Sequence, residues 1–343
     1  MMIEPFFNKN TYWHYNDSRF LNLWGVWDTG WYLSIPTRGY DSEPKPIGDP
    51  SEGKANYAFF PVYPLIIKGV GFLTGDYYIA GILISNIALL IACYYLFQLV
   101  KLESGEKTAY NSVKYLLLFP TAFIFSGVFS EATFIAFLIA SFYYAKKQKW
   151  LYVGIAGFFL ALTRSLGVVA VLPLFYEYLK SKNFKIRDIK YDFLYLGMIP
   201  LGLLTFMVFN YYLTGDWLAF YHIQSAWQRS FDNPIVTLGK AMFSKDIYQL
   251  YLSWPTIFIL GFLTVFCKKI GFAYWFLGMY LLAIPLLSGI YSMPRFMLPI
   301  FPIYILLAKL SKNETFNQIA TISLALIQGF FMVFWANGFK LII

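Results

Sequence analysis

The chain has 343 residues, of which 59% are hydrophobic and 13% charged. Soluble domains carry roughly 25% charged residues, so this composition excludes an ordinary soluble enzyme and indicates an integral membrane protein. Net charge is +9, from 27 Lys plus Arg against 18 Asp plus Glu, but apolar runs interrupt the basic residues, so they form no continuous face for nucleic acid.

In chain order, residues 1–23 contain neither a spanning run nor a signal peptide with an apolar core. Residues 24–57 read as a folded soluble loop, because Pro36, Pro44, Pro46, Pro50, Gly39, Gly48 and Gly53 exclude one long helix. The stretch 58–73 contains Pro61 and Pro64 and is expected to form a juxtamembrane or re-entrant helix that roofs a cavity. A membrane span needs about 20 apolar residues, fewer where it packs inside protein. On that measure the predicted spans are 77–100, 113–129, 132–145, 150–163, 168–179, 193–213, 251–267, 271–288, 296–308 and 319–335. The expected fold class is an all-α polytopic membrane protein with about ten transmembrane helices. Its single membrane domain, 1–343, divides into an exterior segment 1–76, a first helical bundle 77–213, an exterior loop 214–250 and C-terminal helices 251–343.

Successive loops must alternate sides. One set holds fifteen Lys and Arg, including Lys146, Lys147, Lys180, Arg187 and Lys268, whereas the opposite interspan loops hold five: Arg164, Arg229, Lys240, Lys245 and Arg295. The positive-inside rule makes the first set cytoplasmic and puts the 24–57 loop on the other face. This topology starts the chain outside with no span before it, so an N-terminal span lost by truncation or a misassigned start is expected. Cys93 and Cys267 lie in or at the end of apolar spans near the cytoplasmic side, where thiols stay reduced, and imply neither a disulfide nor a metal site.

The polar residues that remain crowd the non-cytoplasmic side. Trp27-Asp28 presents a carboxylate at the membrane face, where an acid can deprotonate a hydroxyl, orient a sugar, or bind a cation or a proton. The plainer role is to cap a helix opening at Asp28-Thr29-Gly30-Trp31. Glu131 falls between two short spans, Arg164 between two more, and Arg295 just before another. Ionisable groups so placed are costly in hydrocarbon and mark functional sites, although Ser130-Glu131 also suits a helix start and arginines at span ends snorkel to headgroups. Together Arg164 and Arg295 offer forked donors suited to phosphate. The 214–249 loop carries Gly215-Asp216-Trp217, His222, Trp227, Gln228 and Arg229. Aromatics with polar neighbours suit carbohydrate, and they suit a membrane interface equally. With only His14 and His222 in the chain, a His-rich metal centre is excluded. Asp41, Glu43, Asp49 and Glu52 can hold a divalent cation through oxygen ligands, although scattered acids in a Pro-rich loop are more often solvated. No phosphate-cradling Gly loop, Gly-x-Ser-x-Gly elbow or Cys/His metal cluster is present, so a nucleotide-sugar or ATP site has no support.

Trp27-Asp28-Thr29-Gly30-Trp31-Tyr32-Leu33, Arg38-Gly39-Tyr40 and Tyr57-Ala58-Phe59-Phe60-Pro61-Val62-Tyr63-Pro64 resemble the first exterior loop of the PIG-V family, GPI mannosyltransferase II and its prokaryotic relatives. The resemblance continues in order through Phe119-Pro120-Thr121-Ala122-Phe123, Phe129-Ser130-Glu131, Thr163-Arg164-Ser165-Leu166-Gly167, the stretch from Gly215-Asp216 to Trp227-Gln228-Arg229, and Pro294-Arg295-Phe296. Each string is weak alone, and the order and spacing make the resemblance specific. It implies a GT-C glycosyltransferase, a helical membrane bundle that takes a sugar, here mannose or another hexose, from a polyprenyl-phosphate carrier. Transfer to a lipid or glycan acceptor would occur on the non-cytoplasmic face by an inverting displacement. On this reading Asp28 is the catalytic acid, Arg295 and then Arg164 neutralise the departing phosphate, and Glu131 sits near the sugar or near Arg164. Trp227, Gln228, Arg229 and Tyr40 are expected at sugar or acceptor. No cofactor is assigned on this reading, and a divalent cation stays open. Family members have a span before the acid, which this sequence lacks, and the shorter chain points to a prokaryotic relative in the cell membrane. A secondary transporter is the rival class, yet its coupling residues belong near the midplane and its halves repeat, whereas here no repeat is found. A scaffold subunit would leave the acids and arginines unexplained.

Overall fold

The structure, a computed structural model, describes residues 13–227, 229 and 232–338. Among these residues every regular element is a helix. Four helical stretches are long and apolar enough to cross a membrane: Tyr77–Ser104, Tyr191–Thr214, Ile247–Val265 and Glu314–Ala336. The first has 28 residues, or about 42 Å at 1.5 Å per residue. It starts where the Asp76 carboxylate accepts hydrogen bonds from the Tyr78 and Ile79 amides at 2.7 and 3.1 Å, satisfying donors that a helix start leaves unpaired.

The other apolar runs also become helical, but several are cut short, and proline explains two of the cuts. The 113–129 run is not one span. Its helix, Glu106–Leu117, stops before Pro120, and a 3-10 turn, Ala122–Ser126, follows. Proline has no N–H to donate and disfavours helical backbone at the preceding Phe119. The carbonyls of Leu117 and Phe119 instead accept from Gln328 Nε2 at 2.8 and 3.1 Å, which ties this break to the Glu314–Ala336 helix. The 296–308 run is likewise divided around Pro299 into Met293–Phe296 and Phe301–Leu310. The 168–179 run begins as a 3-10 segment, Ser165–Ala170, before the helix Val171–Ser181. The helix expected over 58–73 is present as Val62–Thr74.

Short helices have a consequence for the site. Phe272–Leu287 has 16 residues, about 24 Å against a hydrocarbon core of about 30 Å. Irregular backbone at membrane depth survives only where protein buries it or where it lines a cavity. Here the breaks at 118–130, 162–164 and 288–292 flank the same end of the bundle.

The Glu131–Lys146 helix is buried along most of its length. It packs between Tyr77–Ser104 and Trp150–Ala161, and the latter is backed by Met198–Thr214. That last contact is close. A Cβ at Gly154 would fall 2.4 Å from the Tyr195 carbonyl oxygen, and one at Gly202 would fall 2.4 Å from that of Phe158, so small residues permit the approach. The central helix is pinned by charge at both ends. Lys146 Nζ contacts Glu103 at 2.9 Å and Glu177 at 2.7 Å, and the Tyr274 hydroxyl donates to Glu103 at 3.0 Å. Glu131, at the other end, meets two arginines. An acid at the N-terminus and a base at the C-terminus both suit the helix dipole.

The first loop is folded around Asn56, which is fully buried. Its side chain accepts from the Asp41 amide at 2.7 Å and donates to Ser34 Oγ at 3.0 Å and to the Gly39 carbonyl at 2.9 Å. Three of the four acids at 41–52 serve the loop itself: Asp41 pairs with Lys45 at 2.8 Å, Asp49 accepts from the Ser51 amide at 2.7 Å, and Glu52 accepts from the Gly48 amide at 3.1 Å. Among the described residues no group of three His, Cys, Asp or Glu is placed to hold a metal ion.

Candidate active site

Asp28 stands at the N-cap of the helix Thr29–Arg38, yet its side chain caps nothing. The helix start is secured otherwise, by Thr29 Oγ1 accepting from the Val26 amide at 3.1 Å and by the Asp28 carbonyl accepting from Trp31 and Tyr32. Just before the acid, Trp27 holds φ at +44°, a left-handed conformation that bulky L residues rarely adopt. Its ring is clamped between Trp13 at 5.5 Å and Trp335 at 5.1 Å. Trp335 is itself fixed by donating from Nε1 to the Leu23 carbonyl at 2.8 Å. The capping role is therefore excluded, and the carboxylate is free to turn inward.

It turns to Arg295. Asp28 Oδ2 accepts from Arg295 Nη1 at 2.5 Å, across 267 residues of sequence. Arg295 also donates from Nε to Glu131 Oε1, and the same oxygen accepts from Arg164 Nη1. The four groups form one chain, Asp28 to Arg295 to Glu131 to Arg164. Glu131 is 1% exposed and Arg295 6%, so the acids and arginines compensate each other in a place where an isolated charge would be untenable. Burial opposes the charge on Arg295, but Glu131 and Asp28 more than offset it and hold its pKa above the usual arginine value. The Arg295 guanidinium also lies 4.6 Å from the centre of the Phe129 ring. Its backbone approach is strained, because Ser292 takes φ +64° just ahead of Pro294, and the Pro294 carbonyl accepts from Thr121 Oγ1 at 3.1 Å.

Asp28, Arg164, Arg229 and Arg295 line a cavity of about 460 Å³, within the size range of small-molecule sites. Its remaining walls include Tyr32, Phe59, Phe60, Phe220, Trp227, Ile284, Leu287 and Phe296. Trp227 meets Trp31 at 5.7 Å and Phe59 at 6.2 Å edge-on. Arg164 and Arg229 flank one ring, that of Phe296, at 5.6 and 6.0 Å. Burial is the main cause that lowers the Arg229 pKa; Asp28 opposes the shift, and Arg295 and Arg164 add to it.

Of the site residues expected from sequence, Asp28, Arg164, Arg295, Trp227 and Arg229 come together at this cavity. Glu131 does not line it. It lies behind the arginines, and of its two expected neighbours it has Arg164. Tyr40 is also withdrawn: its hydroxyl donates to the Phe59 carbonyl at 2.9 Å and its ring packs on Phe209 at 5.0 Å. Gln228 lies outside the described residues. Tyr32 and Gln224 line the cavity without having been singled out. Tyr32 follows Asp28 by four positions, one helical turn, which is the signal that would have found it. Its hydroxyl pairs with Ser130 Oγ at 2.7 Å, next to Glu131, and burial raises its pKa to about 12. Gln224 precedes Trp227 by three.

No protein-family model matches the chain, and no curated protein matches it. Among solved structures it is similar to ArnT from Cupriavidus metallidurans bound to undecaprenyl phosphate, with a TM-score of 0.59 at 12% identity over 86% of this chain. The chain covers 58% of the length of that protein. This likeness is one of fold alone, an all-α bundle of apolar helices.

Proposed function

We propose that the protein is a membrane glycosyltransferase of the PIG-V kind, which moves a hexose, mannose, from a polyprenyl-phosphate carrier to a lipid or glycan acceptor on the non-cytoplasmic face. The observation that carries this reading is the Asp28–Arg295 contact at 2.5 Å on the wall of a cavity that is otherwise largely aromatic and aliphatic. A phosphate lipid needs cations beside an apolar channel, and an acceptor hydroxyl needs a carboxylate within reach. Both are met in one place. The fold shared with a protein solved with undecaprenyl phosphate supports the lipid carrier, the ordered sequence strings support mannose, and the Lys/Arg asymmetry supports the face.

In the reaction the acceptor oxygen bonds to the anomeric carbon from the side opposite the phosphate, with inversion. The carbon–oxygen bond to phosphate breaks, its electron pair leaves on the phosphate, and Asp28 takes the hydroxyl proton. Lipid phosphate is a good leaving group, so a positioned base suffices. Arg295 and Arg164 stabilise the charge that develops on the departing group, in a water-poor cavity where such contacts are strong. Glu131 acts as a positioning residue that holds both guanidiniums. Trp227 offers a ring face to the sugar, and Phe60, Phe220, Ile284 and Leu287 give the prenyl chain an apolar wall.

The test is transfer of radiolabelled mannose from polyprenyl-phosphate-mannose into membrane lipid and glycan fractions, by the wild type and by Asp28→Asn. Label is expected only with intact Asp28, and the variant should lose at least about a hundredfold in rate while still binding polyprenyl phosphate. Equal label with both proteins removes Asp28 as the base. No label from any polyprenyl-phosphate sugar removes the transferase reading.

A further inference from the structure

The arginines of the cavity differ in how their charge is used. Arg295 is engaged by Asp28 and Glu131, and Arg164 by Glu131. Arg229 lines the same cavity, but among the described residues no carboxylate pairs with it within 4 Å; Asp28 acts on it from longer range, and its guanidinium sits over the Phe296 ring, 6.0 Å from the centre. Counting the ionised lining groups together with Glu131, three guanidiniums face two carboxylates. One positive charge is left over, and it is localised on Arg229.

We propose that Arg229 makes the direct contact with the donor's phosphate, and that Arg164 and Arg295, already neutralised by Glu131 and Asp28, shape the site rather than supply its net charge. This inference rests on the transferase reading and changes one part of it: Arg229 replaces Arg295 and Arg164, assigned above to the departing phosphate, as its direct contact, where the sequence had left Arg229 to sugar or acceptor. A phosphodiester carries one negative charge, which matches the one that is uncompensated. Physical reasoning favours this division. Arg295 already spends Nε on Glu131 and Nη1 on Asp28, whereas among the described residues no carboxylate pairs with Arg229 within 4 Å, so an arriving anion is its first close partner. Burial and the two neighbouring guanidiniums work against its charge, Asp28 offsets only part of this, and an arriving anion relieves the remaining penalty. Arg164 and Arg229 both sit over the Phe296 ring, at 5.6 and 6.0 Å from its centre. Lys54, at 5.7 Å from the Trp227 ring, is a second cation near the rim, but it does not line the cavity.

Binding to the purified full chain in nanodiscs tests this, with undecaprenyl phosphate as probe and undecaprenol as the uncharged control. Arg229→Gln should weaken undecaprenyl phosphate at least tenfold and flatten the salt dependence of binding, Arg229→Lys should recover part of the loss, and Lys54→Gln should bind within twofold of wild type. Arg229→Gln binding within twofold of wild type would overturn the assignment while leaving the transferase reading intact. A wild type that does not prefer undecaprenyl phosphate to undecaprenol would overturn both. A second measurement on the unaltered protein avoids any effect on folding: modification by the arginine reagent phenylglyoxal, mapped by peptide mass. Arg229 should react fastest of the three and be protected by undecaprenyl phosphate; protection confined to Arg164 or Arg295 would refute the proposal.

Discussion

Glu131→Gln is the perturbation that most directly probes the charge chain. The glutamate is 1% exposed, and one of its oxygens, Oε1, accepts from both Arg164 and Arg295, while Oε2 is buried with no partner among the described residues. Glutamine keeps the shape and an acceptor oxygen but removes the charge. Arg295 still has Asp28; Arg164 loses its ion pair. Removing one partner of a buried ion pair costs about 3–5 kcal/mol. Arg164 is 20% exposed at its side chain and can recruit some water, which places the expected loss near the low end, about 3 kcal/mol, or roughly a hundredfold in the folding equilibrium.

The assay is reversible denaturant unfolding in mixed micelles, run on wild type, Glu131→Gln, Arg164→Gln and the double variant. In the double variant the orphaned guanidinium is gone, so the two losses should fall short of adding by about 1–3 kcal/mol. Two results would refute the reasoning. One is a Glu131→Gln stability within about 0.5 kcal/mol of wild type, the range of an ordinary surface change. The other is strict additivity, which would mean that Glu131 and Arg164 do not share a bond.

Two further outcomes are expected. Asp216 accepts from the Leu218 amide at 2.9 Å and pairs with His222 at 2.6 Å, and the His222 bond, then the Leu218 amide, hold its pKa below 3.8. A carboxylate with a depressed folded pKa stabilises above its unfolded value and loses that contribution as pH falls through the folded one. Hydrogen-exchange protection of the Leu218 amide should therefore stay level down to the unfolded carboxylate value and decline only below it, by a small amount because the pair is exposed; a decline beginning near neutral pH would contradict the assignment. Single cysteines at Asp41 and Lys182 should label from opposite faces, Asp41→Cys from outside and Lys182→Cys from inside, and labelling of Asp41→Cys from the cytoplasm would reverse the proposed orientation.

What the sequence disclosed and what it hid have one physical origin. In a chain with 13% charged residues, the apolar runs announce themselves, and so do the few ionisable groups at their ends, because hydrocarbon leaves such groups few tolerable positions. Asp28, Glu131, Arg164 and Arg295 were legible for that reason. Full-length spans were over-read where Pro120 and Pro299 cut the helix, since hydropathy registers composition and not the missing N–H. Of the pairing only Glu131 beside Arg164 was open to reading, and then as one of two alternatives. Arg164 and Arg295 read as free donors for phosphate because nothing in a linear chain says that Glu131, 33 residues from one and 164 from the other, fills the space between them. Nor does any residue type announce the left-handed backbone at Trp27 and Ser292, since neither is the glycine that usually marks it. The acids and arginines have to be read as one unit. Three guanidiniums alone would be costly to bury in a largely apolar wall; two carboxylates keep Arg164 and Arg295 in place while no ligand is bound, and the cation they leave without a close partner is the one with binding energy still to give.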